Sequence, residues 1–458
     1  MPTVAFHTLG CKVNQYDTEG LRRQFLDVGY EEVPFDSCLA DVYVVNTCSV
    51  TQVSDRKSRQ MLRRPSRLHP QAVVVAAGCY AQVAAEQVAA IDGVDLVIGN
   101  QRHDEVVALV EAARRQKAEG GPALNIVRPQ WQAKLHEVFD EWPAGDTSHL
   151  RAELKIEEGC DNFCTFCIIP KARGPVRSRP LQAVLQEASR LAALGHREIV
   201  LTGILTGAWG REQGEKLETL LAALDNVKGI KRIRLSSVEP TDFTPETIQA
   251  LAKMRKLCHH LHIPLQSASN HVLTEMRRRY TFQRYQEIVE ALRQQIPDVA
   301  ITTDVMVGFP GESEEDFAQT YERIEQLQLA GLHVFPYSPR PGTAAARRSD
   351  QIDPERKHQR TQRLLALGDR LRQQFAHQQV GRLLDVLPEE AVCWGQTRDE
   401  RGEVLQEPPG LLSGSYLLGH AGNGLMVLLD GDERQIGDVI QVSVRQAVGR
   451  LLVAQQVR

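Results

Sequence analysis

Short apolar runs separated by amphipathic stretches dominate the first third of the chain. Residues 4–9, 42–47, 72–77 and 95–98 read as strands, while 18–28 and 83–91 carry apolar positions at helical spacing. Strands alternating with helices predict a parallel, doubly wound sheet. The alternation stops at Gly120, Gly121 and Pro122, stops again at Trp142, Pro143, Gly145 and Asp146, and then resumes. Residues 153–157, 198–201, 230–236, 261–265, 300–307 and 332–336 form six more strand-like runs, with helical segments such as 181–194, 246–254 and 314–329 between them. Six βα units predict a complete or partial barrel with its functional groups on the loops after the strands. Residues 354–379 read as a long polar helix. Beyond residue 380 the helical period fades, and runs such as 425–429 and 439–444 alternate with glycine-rich turns. The expected architecture is therefore α/β: an N-terminal doubly wound parallel sheet over 1–145, a central partial (βα)6 barrel over 146–379, and a small C-terminal antiparallel β-barrel over 380–458.

Composition narrows the class without naming a function. With 458 residues, 42% apolar and 24% charged, the chain has enough apolar surface for several cores, which excludes disorder as its main state. No apolar stretch approaches the ~20 residues needed to span a bilayer. The first ten residues show neither a basic leader nor a long apolar segment, so no membrane partner and a cytoplasmic location are expected. The formal net charge is −4, so any basic surface is local.

Nine cysteines, an odd number, argue for metal binding or thiol chemistry rather than a disulfide framework. Cys11, Cys48 and Cys79 each lie within two residues of the end of a predicted strand. In a parallel sheet those carboxyl ends share one edge, where ligands bind, so the three can converge. The competing reading is three buried thiols, since free cysteine is often a core residue. Cys38, Cys258 and Cys393 have no partners in the pattern and read as packing residues.

The strongest local signal is Gly159-Cys160-Asp161-Asn162-Phe163-Cys164-Thr165-Phe166-Cys167, directly after the first strand of the second domain. Three soft thiolates at C-x3-C-x2-C can hold three irons of a cubic iron–sulfur cluster and leave the fourth iron open. Zinc is the alternative, but a closed zinc site wants four ligands, and His149, the nearest candidate in sequence, precedes the strand.

This motif, with an aromatic before the last cysteine, resembles the radical S-adenosylmethionine (SAM) superfamily. Together with the N-terminal cysteines and the C-terminal β-module, the chain resembles the methylthiotransferases. The blocks that carry the resemblance are Thr8-Leu9-Gly10-Cys11-Lys12-Val13-Asn14-Gln15, Val45-Asn46-Thr47-Cys48, Ala77-Gly78-Cys79, Glu158-Gly159-Cys160 through Cys167-Ile168-Ile169-Pro170, and Arg173-Gly174-Pro175-Val176-Arg177-Ser178-Arg179. Its opening is most similar to the branch that acts on threonylcarbamoyladenosine in tRNA. The resemblance implies two 4Fe-4S clusters, one on Cys160, Cys164 and Cys167 and one on Cys11, Cys48 and Cys79. It implies S-adenosyl-L-methionine as the source of a 5′-deoxyadenosyl radical and of a methyl group, with sulfur inserted from the second cluster. The implied reaction places a methylthio group on C2 of N6-threonylcarbamoyladenosine at tRNA position 37. Sister branches act on N6-isopentenyladenosine or on a ribosomal-protein aspartate; a non-catalytic iron–sulfur electron-transfer protein is a third reading. A reductase or flavodoxin-type electron donor and a sulfur source are the remaining implied partners.

By the same resemblance, Gly203 ends the second barrel strand where the methionyl amino group is held, and Phe166 contacts the adenine of the cofactor. Ser236 and Glu239 follow the third strand and Gln266 the fourth, offering acceptors for ribose or amino groups; ordinary hydrogen bonding at a barrel rim is the competing reading. Gly308 and Gly311 follow the fifth strand, where a plain strand-to-helix turn also explains them.

Three basic segments are candidates for phosphate contacts, which dominate nucleic-acid affinity. Residues 55–67 hold six basic and one acidic residue, residues 340–372 nine and four, and Lys171, Arg173, Arg177 and Arg179 follow the cluster loop. A solvated helix face is the competing reading, and it is preferred for 340–372. The C-terminal module resembles the TRAM domain, a barrel that helps bind RNA in this family. It nevertheless carries seven basic and eleven acidic residues, and its middle, residues 410–417, matches the family pattern only loosely.

Overall fold

The computed structural model describes residues 1–36, 39–100, 103–121, 125–127, 150–399, 402–411 and 414–457. Cys38, Pro122, Trp142, Pro143, Gly145, Asp146, His149, Leu412 and Ser413, all used in the sequence reading, lie outside these residues.

The N-terminal region is a six-stranded parallel sheet. Its order is Glu31–Glu32, Thr3–Thr8, Val42–Thr47, Val73–Ala77, Leu96–Ile98 and Asn125–Val127. The strand Val42–Thr47 is buried along its whole length because helices cover both faces of the sheet. Tyr43 and Val45 enter one core with Leu62 of the helix Gln52–Leu68. Val42 and Val44 enter the other with Leu21 and Phe25 of the helix Lys12–Asp27. That split is the doubly wound arrangement. The short edge strand Glu31–Glu32 and the far strand Asn125–Val127 escaped the sequence reading, being only two and three residues long.

The central region contains six parallel strands in two sheets. Arg151–Lys155, Glu198–Thr202 and Arg232–Leu235 form one; His260–His262, Ala300–Val307 and Gly331–Pro336 form the other. Bridges between Ile233 and Leu257 and between Ser237 and His262 join them into a partial barrel. Strict alternation sets its two surfaces. Leu154, Ile199, Leu201, Ile233, Leu235, Leu261, Ile301 and Val305 pack outward into one large core with the surrounding helices. Their strand neighbours, among them Glu153, Glu198, Arg232, Arg234, His260, His262, Thr302, Asp304 and His333, take the opposite face, so the inside of this barrel is polar.

The helix Pro354–His377 buries Leu364, Leu367 and Leu371 in the same core and leads into the C-terminal module. There Leu383–Ala391, Tyr416–Ala421, Met426–Asp430, Leu451–Gln456 and Ile440–Val448 close a five-stranded barrel in that order. Four of its pairings are antiparallel, as expected, and one departs: Met426–Asp430 runs parallel to Leu451–Gln456. The parallel pair arises because the last hairpin folds back to seal the cylinder.

This module caps the amino-terminal end of the central barrel. Buried Glu198 accepts hydrogen bonds from both Arg232 and Arg234. Arg232 also donates to the carbonyls of Asp385 and His420, and Arg234 to those of Ala421 and Gly422. Backbone carbonyls of one domain thus complete an ion-pair cluster of the other. Among the described residues, no helix is long and apolar enough to cross a membrane.

Candidate functional site

The three N-terminal cysteines do meet at the carboxyl edge of the first sheet. Cys11 caps the helix Lys12–Asp27, Cys48 follows the strand Val42–Thr47, and Cys79 opens the helix Gly78–Val83. Asn14 ties their loops together. Its Nδ2 donates to the carbonyls of Leu9 (2.7 Å) and Thr47 (3.1 Å), and its Oδ1 lies 4.0 Å from both Cys11 Sγ and Cys79 Sγ. Gly10 has φ +107°, and a Cβ there would stand 2.9 Å from Cys48 Sγ, so only glycine lets these two loops approach. Cys48 and Cys79 are buried, while Cys11 opens to solvent on one side. Crowding by protein still pushes the Cys11 and Cys48 thiols up, and the neighbouring cysteines add to the effect.

The second triad lies on one loop after the first barrel strand. Gly159 has φ +95°, and a Cβ there would fall 1.9 Å from the Pro175 carbonyl, so the loop requires glycine. The Cys160 N–H donates to the Gly174 carbonyl, and the Cys167 N–H to that of Cys164. Two donors aim at the sulfurs: the Ile169 N–H at Cys167 Sγ (3.4 Å) and Arg278 Nη1 at Cys164 Sγ (3.3 Å). Burial, reinforced by the neighbouring sulfurs, pushes the Cys160 and Cys167 thiols up to about 12. A cationic iron core displaces such tightly held protons.

Among the described residues, the one set of three metal-type ligand atoms all within 4.8 Å of one another is His262, Asp304 and His333. Neither cysteine triad closes to that spacing. A single zinc ion wants four closely spaced ligands, whereas three thiolates can hold three irons of a cubic cluster.

Arg173 links the segment after the second triad to the first. It ends the short helix Ile169–Arg173 that follows Cys167, and its side chain is fully buried. Nε lies 3.3 Å from Cys79 Sγ, Nη1 donates to Glu158 (2.6 Å), and Nη2 donates to Asn14 (2.6 Å) and Asp17 (2.9 Å). Lys155 pairs with the same two carboxylates, Asp17 (2.7 Å) and Glu158 (3.0 Å). The sequence reading offered Arg173, Arg177 and Arg179 to phosphate. The structure instead engages Arg173 as described, sets Arg177 3.6 Å from Glu158, and buries Arg179 against Tyr16 Oη. Arg340 is likewise buried on Ser49 and Asp55, and Lys171 donates to the Gly342 carbonyl.

A cavity of about 330 Å³ opens between Cys11 and the inner face of the barrel, with Gly203, Ser236, His262 and Asp304 among its lining residues. Of the proposed cofactor contacts, Gly203 and Ser236 therefore border this space. A Cβ on Gly203 would lie 2.7 Å from Glu157 Oε2, which already accepts the N–H groups of Ile204 and Leu205. Glu157 is fully buried, and burial pushes its carboxyl up to about 8. Ser236 Oγ meets Thr206 Oγ1 at 3.0 Å. Glu239 is ion-paired with Arg278, the same arginine that touches Cys164. Gln266 has φ +65°, and its buried Oε1 finds no partner among the described residues. Phe166 is half-buried with its ring edge-on to Phe309 at 6.5 Å. Cys258 is buried as expected, whereas Cys393 is exposed, because it falls in a turn after the strand Leu383–Ala391.

The arginines of the helix Gln52–Leu68 form a separate basic face. Arg56, Arg59, Arg63, Arg64 and Arg67 line one groove, with Arg59 also donating to Tyr80 Oη and Arg64 paired with Asp36. Sequence inspection missed Asn14, Arg278 and the His262–Asp304–His333 group. The alternation His260-Leu261-His262 was the available signal for the last, since it places both imidazoles on the inner face.

Two family models match the chain: the Radical SAM superfamily over residues 154–324, and uncharacterized protein family UPF0004 over residues 3–99. The threonylcarbamoyladenosine tRNA methylthiotransferase MtaB of Bacillus subtilis is 43% identical over 98% of this chain and 94% of its own length. The tRNA-2-methylthio-N(6)-dimethylallyladenosine synthase of Frankia alni is 37% identical over 98% of this chain and 87% of its own. Among solved structures, the radical S-adenosylmethionine methyltransferase TsrM of Kitasatospora setae, with cobalamin and a 4Fe-4S cluster bound, superposes with a TM-score of 0.55. It is 16% identical over 76% of this chain and 77% of that one, a likeness of fold.

Proposed function

The chain belongs to the radical SAM family of tRNA methylthiotransferases, and on that premise we propose that it places a methylthio group on C2 of N6-threonylcarbamoyladenosine at position 37 of tRNA. The acceptor follows the relative with the higher identity, whose name carries threonylcarbamoyladenosine. The observation that carries the reading is the pair of three-thiol sites, with Arg173 of the segment after Cys167 reaching Cys79 and with Cys11 opening onto the same cavity as Gly203 and Ser236.

In this reading residues 1–145 hold the sulfur-donating cluster on Cys11, Cys48 and Cys79. Residues 146–379 form the radical SAM core with its cluster on Cys160, Cys164 and Cys167, and 380–458 are a TRAM-like module. Loaded with iron and sulfur, the two sites supply an electron to S-adenosyl-L-methionine and a sulfur atom to the base. The protein's own part is positioning. Arg278 holds Cys164 and Glu239 together, Gly203 and Ser236 leave polar edges for the cofactor, and Gln266 offers an unused carbonyl. Phe166 is placed against the adenine of the cofactor. The groove of Arg56, Arg63 and Arg67, on the helix that follows Cys48, takes tRNA phosphates. The C-terminal module, net acidic and docked on the barrel floor, acts as a lid on that floor more than as an RNA grip. A flavodoxin-type or reductase electron donor, a sulfur source and a cytoplasmic location complete the reading.

The test is anaerobic turnover of an anticodon stem-loop carrying threonylcarbamoyladenosine, with nucleoside mass spectrometry of the product. The 2-methylthio derivative is expected. Conversion only of a dimethylallyladenosine stem-loop would move the chain to the sister activity. Redox-active clusters without cleavage of the cofactor would reduce it to an electron carrier.

A further inference from the structure

Three arginines follow one another at 277–279. Arg277 and Arg279 are exposed, whereas the side chain of Arg278 is only 4% exposed. They close the short helix Asn270–Glu275. The Arg277 N–H donates to the Thr274 carbonyl and the Arg278 N–H to that of Leu273, both at 2.9 Å. That pair of bonds is a Schellman cap, which places a left-handed residue just past the helix end. Arg277 takes this conformation at φ +58°, where glycine is the usual choice. The turn brings the next side chain, Arg278, back onto the loop of the second thiol triad.

The same segment grips that loop. The Thr165 N–H donates to the Met276 carbonyl (3.2 Å) and Thr165 Oγ1 to that of Glu275 (2.9 Å), while Arg279 Nη2 reaches the Asp161 carbonyl (3.4 Å). With loop and segment tied together, each nitrogen of the Arg278 guanidinium has its own partner. Nη1 points at Cys164 Sγ (3.3 Å), Nη2 pairs with Glu239, and Nε donates to Tyr280 Oη (2.9 Å). Tyr280 is itself fixed, its hydroxyl 2.9 Å from the Pro264 carbonyl and 3.0 Å from that of Leu265. A neutral thiol is a weak acceptor and gives little reason to bury a cation against it. A thiolate that holds iron does.

We propose that Arg278 raises the reduction potential of the cluster held by Cys160, Cys164 and Cys167, through its hydrogen bond to Cys164 Sγ. This rests on the cluster assignment made above and deepens it. Reduction adds one electron, taken from an external reductant, and part of its charge falls on the thiolate sulfurs. A cationic donor beside one of those sulfurs favours the reduced form; hydrogen bonds to sulfur, net charge and solvent exposure are the levers that set such potentials. Arg278 acts through Cys164, as a positioning residue. Glu239 works in the opposite sense, because its carboxylate offsets the same guanidinium.

The experiment uses the full chain carrying Cys48→Ala, loaded anaerobically, so that the second triad holds the one remaining cluster. Its midpoint potential is read by redox titration followed by electron paramagnetic resonance. Arg278→Gln should lower the reduction equilibrium constant about tenfold, which for one electron is about 59 mV. Arg278→Lys keeps the charge without the fork and should fall between. Glu239→Gln should shift the midpoint the other way. Opposite signs separate tuning from a loosened fold, since added solvent favours the more highly charged reduced form and would raise the midpoint in every variant. Cleavage of the cofactor by Arg278→Gln should fall several-fold with dithionite and recover with titanium(III) citrate, a stronger reductant; a misplaced loop would not be rescued. An unshifted or raised midpoint in Arg278→Gln overturns the proposal, and so does a lowered midpoint that Glu239→Gln shares. Should Arg278→Gln lose its iron, Arg278→Lys is read by the same criteria. If the Cys48→Ala chain holds no reducible cluster, the cluster assignment fails and the proposal with it.

Discussion

Arg173 Nε lies 3.3 Å from Cys79 Sγ although the two residues are 94 positions apart and belong to different domains. The same guanidinium carries Asn14, Asp17 and Glu158, so one side chain ties the segment that follows Cys167 to the loops of the N-terminal thiols. Replacing it with Met leaves two buried carboxylates with Lys155, and for Glu158 the more distant Arg177, to hold them. The expected loss is about 3–5 kcal/mol of folding stability, read by chemical denaturation. Arg173→Lys should recover little, because one ammonium cannot reproduce the fork that reaches four partners.

The triads should separate by function. Cys160→Ala is expected to abolish 5′-deoxyadenosine formation, and Cys48→Ala to preserve it while stopping sulfur insertion. Each variant should retain about four of the roughly eight irons of a doubly loaded chain. Iron analysis and chromatography of the cleaved cofactor check both, and unimpaired cleavage in Cys160→Ala would falsify the cluster assignment.

Glu157 gives the fold a pH dependence of definite sign. Buried in the protein it keeps its proton up to about pH 8, whereas the ordinary value for an exposed glutamate is 4.5. Between those values the native state binds more protons than the unfolded one, so this residue's contribution falls as pH rises from about 4.5 and levels off above about 8. Glu157→Gln still accepts from Ile204 and Leu205 but cannot ionise. Its denaturation midpoint should drop less than that of the wild type between pH 5.5 and pH 8.5, on the order of the interval just described.

The arginine face of the helix Gln52–Leu68 should act on tRNA affinity without regard to sequence. Arg56→Gln with Arg63→Gln removes two exposed cations and leaves the buried Arg173 and Arg340 networks untouched. Binding should weaken alike for different tRNAs, and the slope of log K against log salt should become shallower by about one for each phosphate no longer neutralised. Titrations at several salt concentrations measure it.

Much of the architecture was legible in the sequence, for identifiable reasons. Runs such as 42–47 and 300–307 coincide with the observed strands because they are short and rich in β-branched residues, which suit a buried strand. The convergence of Cys11, Cys48 and Cys79 followed from parallel topology alone. What escaped was whatever depends on partners distant in the chain. Arg173 looks like a surface cation until Asp17 and Asn14 are folded against it, and Arg340 until Asp55 is. The polar interior of the barrel was hidden because its residues alternate with the apolar ones that announce the strands. The short strands Glu31–Glu32 and Asn125–Val127 are too brief to show a period. The parallel closure of the C-terminal barrel depends on which strands become neighbours, which local patterning does not encode.

The carbonyls of Asp385, His420, Ala421 and Gly422 that stopper the lower mouth of the central barrel make the last domain part of the reaction vessel. Shortening the chain after the helix Pro354–His377 would therefore yield a vessel without a bottom. Bulk solvent would reach Glu198 and its two arginines, and any reactive species made beneath the thiol loops would be quenched from below before meeting a nucleobase.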